Sequence, residues 1–390
     1  MRIGIDACTW ANRRGYGRFT RTLVRTMVAE SPQHDYTLVV DQRTAAESDF
    51  PEAARIEIVE TSEQPTQAAS AYGSRRARDV WKMSATVARS RFDVFLFPTS
   101  YSFFPVFGKT PTVVVFHDAI AEQHPEFIFP RRRSRLMWKL KTWLALRRAD
   151  RLVTVSQNAR QQISTVFRRP LAKIDAITEG PADCFQLLDT TNSRAAVLKR
   201  HRLPENVPLI LYVGGISPHK NLDTLVRAAR QVKEPWHLVL VGDYSGDSFF
   251  SSYNDVSELT QKLGLTERLT FTGYVPDEDL SVLYNVATML VLPSFGEGFG
   301  LPVIEAMACG LPVAVSNRGS LPEIVNDAGL LFDPSSEKEI SDAISRLLTN
   351  ESLRNELRNK SQARAKLFSW KNGARKMISI LEAAARAGRT

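Results

Sequence analysis

The sequence predicts an α/β protein built from two doubly wound, Rossmann-like domains. Short apolar runs alternate with longer amphipathic runs, which is typical of parallel strands that helices cover on both faces. The first half contains RIGID, YTLVVD, DVFLFP, TVVVFH and RLVTVS, and the second half contains LILYVGG, HLVLVGD, LTFTGY, MLVLPS and PVAVS. The length of 390 residues, about twice that of an ordinary domain, also favours two domains.

A polar stretch at residues 189–208 separates the two sets of runs and is the expected connection between domains. We expect an N-terminal domain over residues 1–190 and a C-terminal domain over residues 207–367. The last segment, residues 368–390, has the pattern of a helix, which we expect to pack back on the N-terminal domain.

Composition and charge limit the possible partners. Hydrophobic residues make up 43% and charged residues 24% of the chain, a normal globular mixture that excludes disorder as the default. Lys and Arg number 51 against 42 acids, so the formal net charge is +9. An anionic partner is therefore expected, whether nucleotide phosphate, a membrane surface or nucleic acid, and charge alone does not choose among them.

The cysteines and the N-terminus favour a cytoplasmic protein. Cys8, Cys184 and Cys309 form no CxxC pair, so neither a disulfide framework nor a zinc site is predicted. MRIGIDACTW has the pattern of a buried strand rather than a signal peptide. No run approaches the roughly 18 to 20 apolar residues that a membrane-spanning helix needs, so membrane contact is expected to be peripheral, at the inner face.

The stretch PSFGEGFGLPVIEAMACG, residues 293–310, contains the strongest candidate site. A glycine-rich turn follows a predicted strand, and a helix is expected from about Pro302 to Gly310. The turn and the helix N-terminus favour an anion, whereas Glu297 in the turn suits the hydroxyl groups of a sugar. Glu305, one helical turn inside, can accept hydrogen bonds from two ribose hydroxyls. One such acid would be interpreted as capping the helix, but the pair favours ligand binding.

This segment resembles the donor-site signature of the retaining GT-B glycosyltransferases of family 4, in which two glutamates flank seven residues and GFGLPVIEAMACGLPV recurs almost verbatim. The resemblance covers nearly the whole chain. It implies a nucleotide-sugar held by the second domain, an acceptor held by the first, and reaction in the cleft between them. By this resemblance Glu297 contacts the donor sugar and Glu305 the ribose. The intervening backbone would contact the sugar and diphosphate at Gly298, Phe299, Gly300 and Leu301.

A second donor motif, LYVGGISPHKNLDTLVRA, places Lys220 just before a predicted helix. An ammonium group beside helix N–H groups can neutralise a diphosphate leaving group, and the resemblance implies this role. Many family members carry arginine directly after the strand's first glycine, where this chain has Gly215. His219, another base or backbone dipoles would then stabilise the phosphates. Without this setting, Lys220 would be interpreted as ordinary surface charge.

Tyr274 and Val275 follow a predicted strand in FTGYVPDEDLSVLYNVA. In similar enzymes this loop lines the nucleobase through main-chain contacts. The acids at 277–279 formally match an Asp-x-Asp metal motif, but acids are also expected at a helix N-terminus because of the helix dipole. We favour the helix start and expect no metal and no cofactor beyond the nucleotide-sugar co-substrate.

The first half carries weaker candidates. Gly15 and Gly17 form an incomplete GxGxxG, and the resemblance places this loop near the diphosphate and acceptor. Arg18 is a candidate acceptor-side phosphate contact, or lies on a solvated helix face. His117 and Asp118 end a predicted strand, and the resemblance implies that His117 approaches the transferred sugar and Asp118 the acceptor. The alternative is a structural histidine beside a local cap.

Residues 131–148, RRRSRLMWKLKTWLALRR, contain eight basic residues and no acid, interleaved with leucine, methionine and tryptophan. Basic amphipathic helices with tryptophan lie on anionic membranes, so we favour membrane contact. Ordinary core packing is the first alternative. Nucleic-acid binding is the second, and we do not expect it because no recognised fold or aromatic platform accompanies the charge.

The sequence therefore predicts a retaining hexosyltransferase with an oxocarbenium-like transition state and front-face transfer, since no nucleophile or base is well placed apart from Glu297. RIGIDA, GYGRFTRTL, FHD and HPEF resemble bacterial mannosyl- and rhamnosyltransferases of surface polysaccharides. GDP-mannose is the favoured donor and a UDP-sugar the second. The expected acceptor is a glycan, free or on polyprenyl diphosphate. A sugar-nucleotide epimerase, a glycogen-type phosphorylase and a nucleic-acid-binding protein are the alternatives from other classes.

Overall fold

The computed structural model describes residues 1–12, 15–62, 76–129, 131–243 and 251–388. The chain forms two compact units, each with one parallel β-sheet between helices, which confirms the predicted fold class. The first unit comprises residues 1–179 together with the segment that begins at Trp370, and the second comprises Gly180–Ser369.

Among its described residues the first unit has seven parallel strands, in the order β3-β2-β1-β4-β5-β6-β7. These strands are Arg2–Asp6 (β1), Asp35–Asp41 (β2), Ala54–Val59 (β3), Val94–Phe97 (β4), Thr112–Val115 (β5), Arg151–Thr154 (β6) and Ile174–Ala176 (β7). Its helices are Gly15–Glu30 (α1), Gln42–Glu47 (α2), Ala77–Ser90 (α3), Ile120–Gln123 (α4), Pro125–Ile128 (α5), Arg132–Arg148 (α6) and Gln157–Phe167 (α7). All residues of β4 and β5 are buried, as expected for apolar strands that are covered on both faces.

In the part of the second unit that the structure describes, six parallel strands have the order β10-β9-β8-β11-β12-β13. These strands are Leu209–Val213 (β8), His237–Val241 (β9), Leu269–Gly273 (β10), Met289–Leu292 (β11), Val313–Ser316 (β12) and Leu330–Phe332 (β13). Its helices are Arg194–Arg200 (α8), Leu222–Gln231 (α9), Tyr253–Lys262 (α10), Asp277–Val286 (α11), Leu301–Ala308 (α12), Leu321–Val325 (α13), Glu337–Thr349 (α14) and Glu351–Ala365 (α15).

In each sheet, the order in which successive strands are added reverses once. In the first sheet β1 lies between β2 and β4, and in the second β8 lies between β9 and β11. Ligands of open α/β sheets bind beyond the carboxyl ends of the strands at such a switch point. The loops after β1 and β4, and those after β8 and β11, are therefore the places where each sheet can hold a ligand.

The chain enters the second unit before the polar stretch at 189–208. Residues just after Gly180 already pack on α11: the ring of Phe185 lies edge-on to Tyr284, with 5.6 Å between centroids, and Ser281 Oγ donates to the carbonyl of Cys184 at 2.6 Å. The stretch 189–208 therefore lies inside the second unit, where part of it forms α8.

The last helix, Trp370–Ala387 (α16), belongs to the first unit. The ring of Trp370 contacts Phe19 of α1, with 5.8 Å between centroids, and Arg375 Nη2 lies 2.7 Å from Glu30 Oε2. A Cβ at Gly373 would lie 2.2 Å from the carbonyl oxygen of Thr178, so only glycine permits this approach of the helix to the chain. The first unit is thus assembled from two distant parts of the sequence.

Candidate active site

Two loops of the second unit meet at its switch point. Residues 214–221 follow β8 and residues 293–300 follow β11, its neighbour in the sheet. The amide of Phe295 donates to the carbonyl of His219 at 2.9 Å, which joins the two loops directly. Both sequence-predicted donor motifs therefore lie on one continuous surface.

Lys220 and Glu297 form an ion pair at the centre of this surface. Lys220 Nζ donates to Glu297 Oε1 at 2.7 Å, and the two side chains are only 17% and 13% exposed. Ser294 Oγ donates to the same carboxylate oxygen at 2.6 Å. The sequence analysis identified both charged residues but not their contact across 77 positions, and it missed Ser294.

Asn221 fixes the turn that carries Lys220. Its backbone is left-handed, with φ 58°, a conformation that asparagine tolerates better than most residues. Its buried Nδ2 donates to the carbonyl oxygens of Pro293, at 3.1 Å, and Pro334, at 2.7 Å, while Oδ1 accepts from Thr224 Oγ1 at 2.6 Å. Asn221 is a positioning residue that the sequence analysis missed, although the Lys-Asn pair at a helix start was a usable signal.

The loop between β12 and α13 supports the glycine-rich turn. Ser320 Oγ donates to the carbonyl oxygens of Phe299, at 2.6 Å, and Glu297, at 3.1 Å. Gly300 has φ +111°, and a Cβ there would lie 2.9 Å from the side chain of Leu321, so this position needs glycine. Two carbonyls of the turn are thus occupied within the protein, and Leu301 begins α12 immediately afterwards.

Glu305 lies inside the second unit. The residue is 1% exposed, and its Oε2 accepts a hydrogen bond from Tyr284 Oη at 3.2 Å. Burial, and then the charge of Glu305, raise the pKa of the Cys309 thiol to about 12. The ribose contact of Glu305 stays a prediction.

Gly215 lies beside a tightly packed tyrosine. Tyr212 Oη donates to the carbonyl of Gly215 at 2.7 Å, and burial, with the charge of Glu297, raises the pKa of Tyr212 well above its ordinary value. A Cβ at Gly242 would lie 1.9 Å from the carbonyl of Gly214, whereas a Cβ at Gly215 would meet nothing within 4 Å. Space for a side chain therefore exists at Gly215.

The loop after β10 places Tyr274 on the surface and buries Val275. Helix α11 begins at Asp277, which confirms the helix-start interpretation of the three acids. Asp279 lies 2.6 Å from Arg200 Nη1 and 2.8 Å from His201 Nε2. Burial acts to raise the pKa of Asp279, but the hydrogen bonds from Arg200 and His201 outweigh it, and the net pKa is lowered. The carboxylate of Asp279 therefore serves an internal ion pair.

His117 has a structural setting in the first unit. Its Nε2 lies 3.0 Å from the carbonyl oxygen of Pro98, and its ring packs edge-on against Phe19 with 4.6 Å between centroids. Burial lowers the pKa of His117 to about 4, although the hydrogen bond to Pro98 opposes this. Because a carbonyl only accepts, Nε2 carries the proton and the ring is neutral at neutral pH. This geometry favours the structural alternative, and the sugar contact stays a prediction.

The other candidates of the first unit have local roles. Asp118 Oδ1 accepts from the amide of Ile120 at 2.9 Å, as the local-cap alternative predicts. Gly15 begins α1. A Cβ added at Gly17 would lie 2.0 Å from the carbonyl oxygen of Asn12, so the close approach of α1 to this carbonyl needs glycine. Arg18 is partly buried on α1. Their contacts with acceptor or diphosphate stay predictions.

An aromatic and acidic cluster, which the sequence analysis missed, lies at the carboxyl edge of the first sheet. The ring of Tyr101 stacks on Tyr16, with centroids 5.6 Å apart, and packs on Trp138 at 5.0 Å. Trp138 Nε1 donates to Glu122 Oε1 at 2.6 Å. Burial raises the pKa of Glu122 to about 7; the hydrogen bond from Trp138 acts against this shift, and the charge of Asp118 adds to it. The sequence signal that could have identified Glu122 is an acidic residue in the first helix after β5.

Helix α6 presents an apolar stripe among cations. Leu136, Met137, Leu140 and Trp143 are 68%, 53%, 53% and 55% exposed. The exposed cations of this helix are Arg132, Arg133, Arg135, Lys139 and Arg147. Its opposite face buries Trp138, Thr142 and Ala145. Core packing therefore accounts for only one side of α6, and in the described ranges no helix is long and apolar enough to cross a membrane.

Both units match models of known protein families. The family described as glycosyl transferases group 1 matches residues 193–364, and glycosyltransferase family 4 matches residues 13–180. O-antigen chain mannosyltransferase B of Escherichia coli is 36% identical over 274 residues, which are 67% of this chain and 67% of that protein. The serotype-specific mannosyltransferase WbdA of Escherichia coli is 31% identical over 67% of this chain, and the match spans only 32% of WbdA.

Solved structures share the fold at low identity. Sucrose-phosphate synthase from Thermosynechococcus elongatus superposes with a TM-score of 0.78 over 99% of this chain and 100% of that one, at 20% sequence identity. This likeness concerns the arrangement of strands and helices alone.

Proposed function

Because the chain belongs to the glycosyltransferases of group 1 and family 4, we propose that it transfers mannose from GDP-mannose to a glycan, free or lipid-linked, with retention of configuration. The observation that carries the proposal is the largely buried Lys220–Glu297 pair, 17% and 13% exposed, at the switch point of the second sheet. Mannose is favoured because similar proteins, at 36% and 31% identity, are named mannosyltransferases of O-antigen synthesis or serotype specificity.

Lys220 and Glu297 can both bind a nucleotide-sugar while their ion pair stays intact. An ammonium group has three donors, so Lys220 can hold Glu297 with one and the donor's diphosphate with the others. Glu297 retains lone pairs for a sugar hydroxyl, since Lys220 and Ser294 occupy one of its oxygens. The positive charge then faces the oxygen that becomes negative as the glycosidic bond breaks, where fixed charge lowers the barrier most.

The way Glu297 is held supports the proposal of front-face transfer. Two hydrogen bonds to one oxygen reduce its strength as a nucleophile, and the carboxylate is already neutralised by Lys220. In the proposed step the bond from the anomeric carbon to the phosphate oxygen breaks while the acceptor oxygen bonds to the same face of that carbon. The acceptor's proton passes to the departing phosphate oxygen, so the products are a glycoside and GDP.

The donor is tested by calorimetric titration with GDP, UDP and dTDP. GDP is expected to bind at least about tenfold more tightly than the other two, a difference of about 1.4 kcal/mol. If GDP is the weakest ligand, GDP-mannose is the wrong donor and a UDP-sugar takes its place. We also expect turnover to persist in EDTA, because Lys220 supplies the charge that a metal would otherwise provide.

The reaction is tested by incubating GDP-mannose with a mannose oligosaccharide and determining the anomeric configuration of the product by NMR. An α-linked product from the α-linked donor is expected. A β-linked product, or a covalent mannosyl adduct trapped on Glu297, would exclude the proposed step. Formation of an altered nucleotide-sugar without acceptor would identify an epimerase instead.

We further propose that α6 lies on an anionic membrane. The helix combines five exposed cations with a stripe of four exposed apolar side chains that includes Trp143. Cations attract anionic headgroups, and apolar side chains beside them insert at the acyl boundary. Such contact would bring a lipid-linked acceptor to the enzyme.

A further inference from the structure

We propose that the chain forms a dimer in which strand β3 of the first unit pairs, antiparallel and about a two-fold axis, with β3 of a second copy. The two first-unit sheets then join into one continuous sheet. Ile56 fixes the register, because it lies opposite the same residue of the second copy. This inference concerns association and does not depend on the reaction that the chain catalyses.

The outer edge of β3 is open among the residues that the structure describes. Strand β3 ends the order of the first sheet, and β2 is its one neighbour there. Alternate backbone N–H and C=O groups of an edge strand point away from the sheet, so such a strand can pair with a strand of another chain. Ala54–Val59 pair with Tyr36–Asp41 without a break in register, so the edge is regular over six residues.

The other three sheet edges in the described ranges are poor templates for pairing. Strands β7 and β13 are only 3 residues long. Strand β10 has a register irregularity between Phe271 and Gly273. Short edge strands and bulges are devices by which natural sheets avoid pairing between molecules. Strand β3 has neither device, and its sequence, ARIEIV, contains no proline.

Both faces of β3 are open to solvent. Arg55, Ile56, Glu57 and Ile58 are all exposed, and Val59 is buried. Because side chains alternate along a strand, the two isoleucines lie on one face and the two charged residues on the other. Ile56 and Ile58 are 36% and 54% exposed, although helices normally cover both faces of a parallel sheet. Pairing with a second strand would bring apolar side chains beside them.

Charge selects one register of β3 on itself. In an antiparallel pair about a two-fold axis perpendicular to the sheet, one central residue lies opposite its own copy. With Ile56 at the centre, Arg55 lies opposite Glu57 of the second copy, and Ile58 lies opposite Ala54. Moving the centre to Arg55 or to Glu57 places like charges directly opposite each other, which destabilises a sheet. Strand β3 is therefore complementary to itself in the register centred on Ile56, and the partner that fits it is a second copy of the chain.

The dimer is tested by sedimentation velocity of the full chain at concentrations on the order of 1 to 100 μM, the range expected for a modest interface. The wild type is expected to reach twice the monomer mass at the upper end. Glu57→Arg should raise the dimer Kd at least about tenfold, because the two-fold axis places like charges opposite each other twice. Glu205→Arg, the same change at an exposed residue of the second unit, should match the wild type. A wild type that stays monomeric throughout would overturn the dimer.

Mixing two charge-reversed variants distinguishes loss of the interface from loss of folding. Glu57→Arg leaves only positive charge at these two positions of β3, and Arg55→Glu leaves only negative charge. Each variant alone is expected to stay monomeric, whereas an equimolar mixture should form a dimer that contains one copy of each. The double variant Arg55→Glu/Glu57→Arg exchanges the two charges and should dimerise like the wild type. A mixture that stays monomeric would show that the proposed pairing is wrong.

Cysteine cross-linking tests the register. Residues directly opposite in an antiparallel pair have Cα atoms about 4.5 to 5.5 Å apart, which suits a disulfide. Ile56→Cys should therefore give a covalent dimer on oxidation with copper–phenanthroline in air. The two copies of position 58 would lie four residues, or about 13 Å, apart along the strands, so Ile58→Cys should cross-link much more slowly. The wild type, with its own free cysteines, gives the background. Equal rates for the two variants, or no cross-link in Ile56→Cys, would overturn this register.

Discussion

Lys220 is the residue on which the proposed chemistry depends most. We expect Lys220→Ala to lower kcat about 100- to 1000-fold, since it removes the fixed charge that faces the leaving diphosphate. Lys338→Ala, at an exposed lysine in an exposed ion pair, is the matched control and should retain full activity. Steady-state kinetics check both variants. A kcat for Lys220→Ala within a few-fold of the wild type would remove Lys220 from the mechanism.

Gly215 and Gly242 lie close together and should respond differently to added atoms. Gly215→Arg is expected to fold with little change in Tm because a Cβ there meets open space. Gly242→Ala is expected to lower Tm by several degrees because its Cβ would overlap the carbonyl of Gly214. Thermal denaturation checks the pair. If the diphosphate lies beside Gly215, the donor KM should also fall in Gly215→Arg.

His117 links the stability of the first unit to pH. Its folded pKa of about 4 lies below the ordinary value of 6.5, so the unfolded state binds more protons between these values. Protonation of His117 should therefore lower the free energy of unfolding as pH falls from about 7 to 4, with no further loss from this residue below pH 4. Glu122, with a raised pKa, acts in the opposite direction over part of this range.

The pH dependence is measured as the difference in Tm between pH 7 and pH 5. In His117→Asn this difference should be smaller than in the wild type, because the variant has no ring to protonate at this position. A difference equal to that of the wild type would mean that His117 has an ordinary pKa in the folded state.

At the scale of single elements, α6 makes the most specific prediction. The wild type should sediment with vesicles of anionic phosphatidylglycerol but not with neutral phosphatidylcholine, and salt should weaken the binding. Replacing Leu140 and Trp143 together by serine should reduce binding severalfold, because the apolar stripe is lost while the charge stays. The exposed Leu367, which belongs to the second unit, offers the control Leu367→Ser. Binding unaffected by the double change would show that charge alone acts.

The strands were predictable because burial on both faces leaves a clear apolar run. All ten predicted runs form strands, whereas β3, β7 and β13 were missed. These three lie at sheet edges, and β3 exposes Ile56 and Ile58, so its sequence lacks the uninterrupted apolar pattern. An edge strand with one neighbour has a weaker signal than a central one.

The site was only partly predictable for a different reason. Glu297 and Lys220 stand in local motifs, whereas their ion pair, and the bond from Asn221 to Pro334, join residues far apart in sequence. Glu122 shows the same limit, since its significance depends on Trp138, which comes from a helix that the sequence offered only as basic and amphipathic. Local patterns identify groups, but tertiary packing determines which groups act together.

At the scale of the whole molecule, the first unit depends on a helix that follows the second. Helix α16 buries apolar side chains against this unit, among them Trp370, Met377 and Leu381. Removing residues 370–390 should therefore expose the facing side of α1 and yield insoluble or partly unfolded protein. Removal of residues 389–390 alone should leave the Tm unchanged. Circular dichroism and thermal denaturation check both truncations, and a shortened chain with the wild-type Tm would contradict this role of α16.

The discontinuous first unit also sets an order of events on the ribosome. The second unit is one uninterrupted segment and can fold as soon as its last residues leave the exit tunnel. The first unit must wait, although most of it is synthesised earlier, because α16 emerges only after the second unit is complete. Its unfinished face is exposed throughout that interval, and such nascent chains are the kind that chaperones bind. Slow translation through the second unit should therefore lower the yield of folded protein rather than raise it.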